Sequence, residues 1–342
     1  MKSGDSVRAE IRGTAYALPD LVLTNEMLGA ENPDWDMSRV ESRTGVAARH
    51  IARSDETAFD LACRACDKLF EEHPEAREKV DAILFCTQSG DYVMPPNACL
   101  LHEYLGLPED VFATDYNLAC SGFVYGLGLA QGLLASGIAT NVLLVNADTY
   151  SKYINRGDRS ARALFGDGAA ATWLAASDSG RGLVGIRLAT YGKDYRRFII
   201  PAGGCRLPRS RETAVEEADS SGNVRTQENI HMDGTGVLSV LNATAPRQIR
   251  ALLEDTQMTL DDIDLFVFHQ ASKMALDSLG ARLRIPADKS FSNLREVGNT
   301  VSASIPIAMR DAIDLGRIKP GDRLLLSAIG VGMSLASAII EM

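Results

Sequence analysis

Two stretches, VDAILFCTQS at Val80–Ser89 and IDLFVFHQAS at Ile263–Ser272, read as one buried strand written twice. Each has an acidic residue at its second position and runs through apolar and β-branched positions to a polar end, the pattern of a strand covered on both faces. Asp81 and Asp264 stand 183 residues apart. The same shift carries Cys120 to Ala303, a few positions beyond Asn299. Both neighbourhoods then continue alike, with a helix rich in small residues, a glycine turn and a strand: SGFVYGLGLAQGLLASGIATNVLLVNAD from Ser121 and SASIPIAMRDAIDLGRIKPGDRLLLSAIG from Ser302. Two matching pairs in the same order point to an internal duplication. Strands are expected at Ala82–Cys86, Val142–Asn146, Leu265–His269 and Leu324–Ala328. Helices are expected at Ala58–Phe70, Ser121–Ala135, Ala245–Asp255, Lys273–Leu283 and Ala303–Leu315. This alternation gives an α/β layered fold. The halves divide near AASDSGRG (Ala175–Gly182), as 1–177, carrying the cysteine, and 178–342, carrying the histidine and asparagine. Equivalent loops would meet at the pseudo-two-fold axis, which predicts one pocket shared by Cys120, His269 and Asn299.

Bulk properties narrow the classes. A chain of 342 residues exceeds one ordinary core, in line with two lobes. Its net charge of −10 argues against general nucleic-acid binding, which needs a basic footprint. The start, MKSGDSVRAE, has no apolar run behind its lysine, so no signal peptide is expected. No run of about 18 uninterrupted apolar residues predicts a membrane span. Six scattered cysteines in so long a chain favour a reducing cytoplasm. Cys63 and Cys66 form a lone CxxC on a helical pattern with no second pair for zinc, and read as helix-face cysteines. Residues 203–229, GGCRLPRSRETAVEEADSSGNVRTQEN, are polar and without apolar period, and read as a long, mobile surface loop suited to a lid or docking role.

Four segments carry chemistry, and each alone admits a plainer reading. In YNLACSGFVYGLGLAQG, Cys120 precedes a helix too apolar for the surface. Helix-end amides favour a thiolate and can hold an oxyanion, though a buried structural cysteine fits equally. His269 follows a buried strand, at the edge where α/β sites gather, or is a histidine satisfied by a backbone carbonyl. Asn299, in REVGNTVSASIPIAM, sits in a glycine turn where asparagine is ordinarily a helix cap. Gly330 and Gly332, in SAIGVGMSLASA, either let a ligand approach bare backbone or make a tight turn. No cluster suited to a metal appears.

The set as a whole resembles the ketoacyl-acyl-carrier-protein synthase III family. The resemblance spans nearly the whole chain: SRTGVAARHI, ACSG, GDRSARALFGDGAAA, HQAS, GNTVSASIPIA, IKPGDRLLL and the final GVG. It implies a five-layered αβαβα thiolase fold in a homodimer. Cys120 matches the acylated nucleophile, His269 and Asn299 the pair that holds the malonyl thioester carbonyl, and Gly332 the glycine whose amide joins that of Cys120 in the oxyanion hole. The implied reaction is a decarboxylative condensation of an acyl group, taken from acyl-CoA or an acyl carrier protein, with malonyl-acyl carrier protein or malonyl-CoA. Coenzyme A thioesters are then substrates, and no cofactor is implied.

The sequence departs from the family at the substrate contacts. Arg43 and Arg159 match residues at the coenzyme A adenine. The family's stacking tryptophan corresponds to Arg39, whereas Trp35 lies further upstream. Thr235 and Ser272 stand where asparagines contact pantetheine, and Met94 where a partner-subunit phenylalanine caps the acyl pocket. A flexible methionine repacks around varied chains, which predicts an acyl group other than acetyl. Lys273, Arg282 and Arg284 are the expected docking residues for an acidic carrier protein, or an ordinary solvated face. The late chain lacks the second cysteine of a degradative thiolase, and Asn299 replaces the second histidine of elongating synthases. The alternatives that stay open are a specialised-metabolism relative (a starter-unit synthase, or an ester- or amide-forming acyltransferase acting without decarboxylation) and a non-catalytic partner of a heterodimeric synthase.

Overall fold

The computed structural model of the protein describes residues 7–342. The stretch Met1–Ser6, which opens the expected leaderless start, lies outside the described residues.

Two sheets dominate. The first contains β1 (Ala9–Ala17), β2 (Ala82–Cys86), β3 (Phe112–Tyr116), β4 (Asn141–Asp148) and β5 (Gly168–Ala176), in the order β1-β5-β4-β2-β3. The second contains β6 (Gly182–Thr190), β7 (Leu265–Phe268), β8 (Arg323–Gly330) and β9 (Ser334–Glu341), in the order β6-β9-β8-β7. Strand directions agree as well: antiparallel, antiparallel, then parallel in each. A parallel bridge from Phe266 to Ser290 lies where the first sheet places β3. Asp81 and Asp264 do the same work, each accepting hydrogen bonds from the backbone N–H that opens the neighbouring strand, at Asn141 and Arg323. The connection between the sheets runs over residues 177–181.

The helices that frame the sheets and the site are α1 (Met37–Thr44), α2 (Ala58–Glu72), α3 (Asn97–Leu105), α4 (Gly122–Ser136), α5 (Arg159–Arg162), α6 (Gly234–Asp255), α7 (Lys273–Leu283) and α8 (Ser304–Asp314). The layers follow from which faces are apolar. One core cluster joins α4 and α8 to the inner faces of both sheets, through Phe123, Val124, Leu127, Ile305 and Met309. A second seats α2 and α3 on the outer face of the first sheet, and a third seats α6 and α7 on the outer face of the second. The result is helix–sheet–helix–sheet–helix, the five-layered thiolase arrangement. Helix α4 and the turn before it, Ala119–Ser136, are long and apolar enough to cross a membrane, but the stretch is sandwiched between two sheets, which accounts for apolar residues on all its sides. Cys63 and Cys66 lie on the buried face of α2, where burial pushes the Cys63 thiol up to about 12.

Three expectations need correction. Helix α6 begins eleven residues before Ala245, because Gly234, Gly236 and the internal Pro246 break the apolar period without breaking the helix. Cys120 corresponds to Ser302 instead of Ala303: the turns Ala119–Ser121 and Val301–Ala303 precede α4 and α8 with a 182-residue spacing, one residue less than the strands β2 and β7. The loop 203–229 is structured. Glu217–Ala218 pairs with Val224–Arg225, and Arg225 reaches Asp158 at 2.5 Å and Asp219 at 2.9 Å.

Candidate active site

The nucleophile candidate sits in a strained turn. Ala119 has φ of 47°, in the left-handed region that an L-alanine avoids, and Cys120 follows it directly before α4. The end of β8 presses on this turn. A Cβ added at Gly330 would meet the Leu118 carbonyl oxygen at 2.4 Å and Ser121 Oγ at 2.7 Å, so only glycine fits. Ser121 Oγ in turn bridges to Ser334 Oγ at 2.7 Å, tying the turn to β9. Gly122 is needed for a second reason: a Cβ there would stand 2.2 Å from Cys86 Sγ.

His269 extends β7 by one residue, its N–H donating to the Ser327 carbonyl at 2.9 Å. Its Nδ1 lies 2.6 Å from Ser304 Oγ, at the first turn of α8. The free ring nitrogen is therefore Nε2. Asn299 is held through its backbone by the strand-like segment after α5: its N–H donates to the Leu164 carbonyl and its carbonyl accepts from the Gly166 N–H, both at 3.0 Å. Its Oδ1 accepts from the Val301 N–H at 2.9 Å, a local turn that caps neither Val301–Ala303 nor α8, so the expected helix cap is not formed, while the Nδ2 amide makes one long contact, 3.4 Å to the Ala271 carbonyl.

Burial sets the charge states. It pushes the Cys120 thiol well above its ordinary range, and the neighbouring Asp148 carboxylate pushes in the same direction. The α4 end is in place as expected, but desolvation and a nearby acid act against the thiolate. Asp148 is itself raised to about 7 by burial, against the lowering effect of hydrogen bonds from the Gln88 N–H at 2.7 Å and Ser302 Oγ at 2.8 Å. Burial drives His269 down to about 3, so the imidazole is neutral at physiological pH. The three residues thus meet a thioester as a thiol, a neutral imidazole and an amide. The imidazole and the amide can each donate a hydrogen bond, and there is no cation among the three.

Cys120, His269 and Asn299 all line one cavity of about 760 Å³. Its inner wall is apolar, with Phe165, Phe198, Leu241 and Met333, and its outer part carries Arg39, Arg43 and Arg159. Thr235 and Ser272 line it too, although Ser272 also caps α7 by accepting from the Ala275 N–H. Trp35 is not on the wall; its ring faces the Arg162 guanidinium at 6.0 Å. Gly332 is not on the wall either, which is formed there by Gly330, Val331 and Met333; its φ of 122° still requires glycine. Met94 lies apart, 79% exposed. Lys273 pairs with Asp277 at 2.5 Å, and Arg282 and Arg284 sit at the far end of α7, about 14 Å along its axis. Two residues of the site escaped the sequence reading, Ser304 and Asp148. A serine in a helix first turn and an acid at a strand end give no signal of their own until the fold sets them beside His269 and Cys120.

Comparison with known proteins agrees with this geometry. Family models described as 3-oxoacyl-[acyl-carrier-protein (ACP)] synthase III and its C-terminal region match residues 114–192 and 253–342. A beta-ketoacyl-[acyl-carrier-protein] synthase III of Fusobacterium nucleatum subsp. nucleatum is 33% identical over 97% of this chain and 98% of its own. A 2.1 Å crystal structure of a 3-oxoacyl-(acyl-carrier-protein) synthase III is 42% identical, covers 98% of this chain and 100% of its own, and superposes with a TM-score of 0.95. The corresponding enzyme of Pseudomonas aeruginosa PAO1 is 33% identical, covers 98% of each chain and gives a TM-score of 0.85. The chain belongs to the 3-oxoacyl-[acyl-carrier-protein] synthase III family and is an acyltransferase of the thiolase fold.

Proposed function

We propose that Cys120 carries an acyl group taken from a coenzyme A or carrier-protein thioester, and that this group is condensed with a malonyl thioester. The observation that carries this reading is the convergence of Cys120, His269 and Asn299, drawn from both halves of the chain, on one cavity with an apolar interior. In the first half-reaction the Cys120 thiol attacks the acyl thioester, its proton leaves with the departing thiol, and the acyl group becomes a Cys120 thioester. The Cys120 amide and the backbone turn at Gly330–Gly332 stabilise the oxyanion. In the second half-reaction the malonyl thioester loses CO2, and its electron pair passes to an enolate. Ser304, donating to Nδ1, sets the proton of neutral His269 on Nε2, where with Asn299 Nδ2 it faces the enolate oxygen. The enolate carbon attacks the Cys120 thioester, the carbon–carbon bond forms, and the Cys120 thiolate leaves and is reprotonated. Ping-pong kinetics follow, without a cofactor.

Arg43, Arg159, Thr235 and Ser272 are assigned to the incoming carrier arm, and Lys273, Arg282 and Arg284 to an acidic carrier protein. A homodimer is supported by the apolar run Tyr92–Pro95, with Val93 fully exposed and Met94 nearly so, which fits against a second copy. Met94 would then reach the partner's acyl pocket, where its flexibility favours acyl groups longer than acetyl. The free thiols and the thioester substrates support a cytoplasmic location. Mass spectrometry of the protein after exposure to a panel of acyl-CoAs, followed by malonyl-carrier protein, tests the scheme. A Cys120 adduct discharged into a 3-oxoacyl product is expected. Absence of any adduct on the wild-type protein would defeat the scheme, and a strong preference for acetyl-CoA would defeat the assignment of Met94.

A further inference from the structure

Arg49 is the bulkiest of the fully buried side chains. Its guanidinium donates to the Leu23 carbonyl at 2.9 Å and to Asn25 Oδ1 and the Ala163 carbonyl, both at 2.7 Å. These acceptors are neutral, no carboxylate among the described residues pairs with it, and Nε has no partner at all. A buried cation answered by neutral oxygens is a poor stabiliser, because desolvation offsets its hydrogen bonds. Its placement explains it better. Ala163 immediately precedes Leu164–Gly166, the segment that holds both the N–H and the carbonyl of Asn299. The Arg49 stem is wedged between the glycines on either side of that pairing: a Cβ at Gly298 would stand 3.0 Å from Arg49 Cβ, and one at Gly166 3.2 Å.

We propose that Arg49 is a positioning residue for the condensation: by gripping the Ala163 carbonyl against Leu23 and Asn25, it fixes the Leu164–Gly166 backbone and thereby the Asn299 amide. This rests on the role given to Asn299 above. Arg49 lies behind the cavity wall, and its hydrogen bonds run to Leu23, Asn25 and Ala163 and not to the Cys120 turn, so its removal is expected to loosen the second half-reaction more than the first.

The test measures the two half-reactions separately in Arg49→Lys and Arg49→Met, using hexanoyl-CoA for acylation of Cys120 and malonyl-carrier protein for discharge. Acylation is expected within about two-fold of wild type, and condensation is expected to fall about 10–100-fold, the scale of a small misplacement at a reacting centre. In an Asn299→Ala background the same substitutions should add less than about two-fold, since a residue acting through Asn299 has nothing left to position. Parallel loss of both half-reactions, an undiminished effect in the Asn299→Ala background, or unchanged condensation each overturns the proposal. If the Arg49 variants do not fold, Asn25→Ala removes one guanidinium acceptor and should lower condensation alone by a few-fold; a folded Asn25→Ala with normal condensation overturns it equally. Should Asn299→Ala alone leave condensation intact, the role of Asn299 fails instead, whatever Arg49 does.

Discussion

The corner that opens α4 and the corner that opens α8 are built on one plan and put to opposite uses. Each begins with a non-glycine residue in the left-handed region, Ala119 at φ 47° and Val301 at φ 54°. Each follows an asparagine two residues earlier, Asn117 or Asn299, and each lies beside a strand end, Cys86 or His269. In the first corner Cys120 faces the cavity. In the second its counterpart Ser302 is fully buried and donates to Asp148. The exchanges come in pairs. Where His269 stands, Ser304 supplies the hydroxyl that holds its ring; where Cys86 stands, Gly122 leaves out the Cβ that would strike its sulfur. One scaffold thus yields a cavity-facing cysteine and a sealed plug, and the difference resides in three exchanged positions, Cys120 for Ser302, Cys86 for His269 and Gly122 for Ser304.

The largest effect expected from this contrast concerns the two nucleophile seats. Cys120→Ala should abolish the acyl adduct, and adding Ser302→Cys to it should not restore one, because that seat is closed to solvent. An adduct on residue 302 by mass spectrometry would break the comparison. Next in size, His269→Ala or Asn299→Ala should slow decarboxylative condensation about 10²–10³-fold, the range for loss of an oxyanion donor, while Cys120 still acylates. The plug is tested by Gly122→Ala, which should destabilise by about 1–3 kcal/mol through overpacking against Cys86. Cys86→Ala in the same chain should recover most of that in chemical denaturation, and independent, additive losses would show that the pair is not coupled.

The smallest effects are in pH dependence. Asp148, raised to about 7 by burial, keeps its proton in the folded state at pH values where the unfolded chain has released it. Its contribution to stability is therefore full below about pH 4 and is lost as pH rises towards 7. Comparing unfolding of Asp148→Asn with wild type, the difference should move in the variant's favour by about 2 kcal/mol between pH 5 and pH 8. His269, lowered to about 3, runs the other way: its neutral form is favoured by folding, so its contribution grows as pH rises from about 3 to 6.5. The condensation step should accordingly show no inflection near the ordinary imidazole value; a rate that collapses below pH 6.5 would mean that His269 protonates at that ordinary value, and one that collapses above it would place a charged His269 at work.

Much of this was legible in the chain because the repeated strands are strongly apolar. Ala82–Cys86 and Lys273–Leu283 form with their expected ends, and the order of Cys120, His269 and Asn299 in their three contexts is what separated a site from three ordinary residues. The strands β5 and β9 were not foreseen. GAAATWLAA and SLASAIIE are rich in alanine and serine, whose weak strand preference is overridden by central places in their sheets. The hairpin in 203–229 was hidden for a different reason: it is held by Arg225 to Asp158, a pairing of residues far apart in sequence that no local period encodes. Ser304, Asp148 and Arg49 belong to the same class, since each matters through a partner brought to it by the fold.

Helix α4 has one further consequence, for the order in which the protein is made. Its apolar residues are shared between two sheets, and the last strand of the second sheet ends at Glu341, about 200 residues after the helix. During synthesis at ~5–20 residues per second, one side of α4 has no partner for roughly 10–40 s. Over that interval the nascent first half presents to its surroundings the apolar surface that the finished molecule uses to join its halves, which makes the emerging chain, more than the mature enzyme, the form that needs a chaperone.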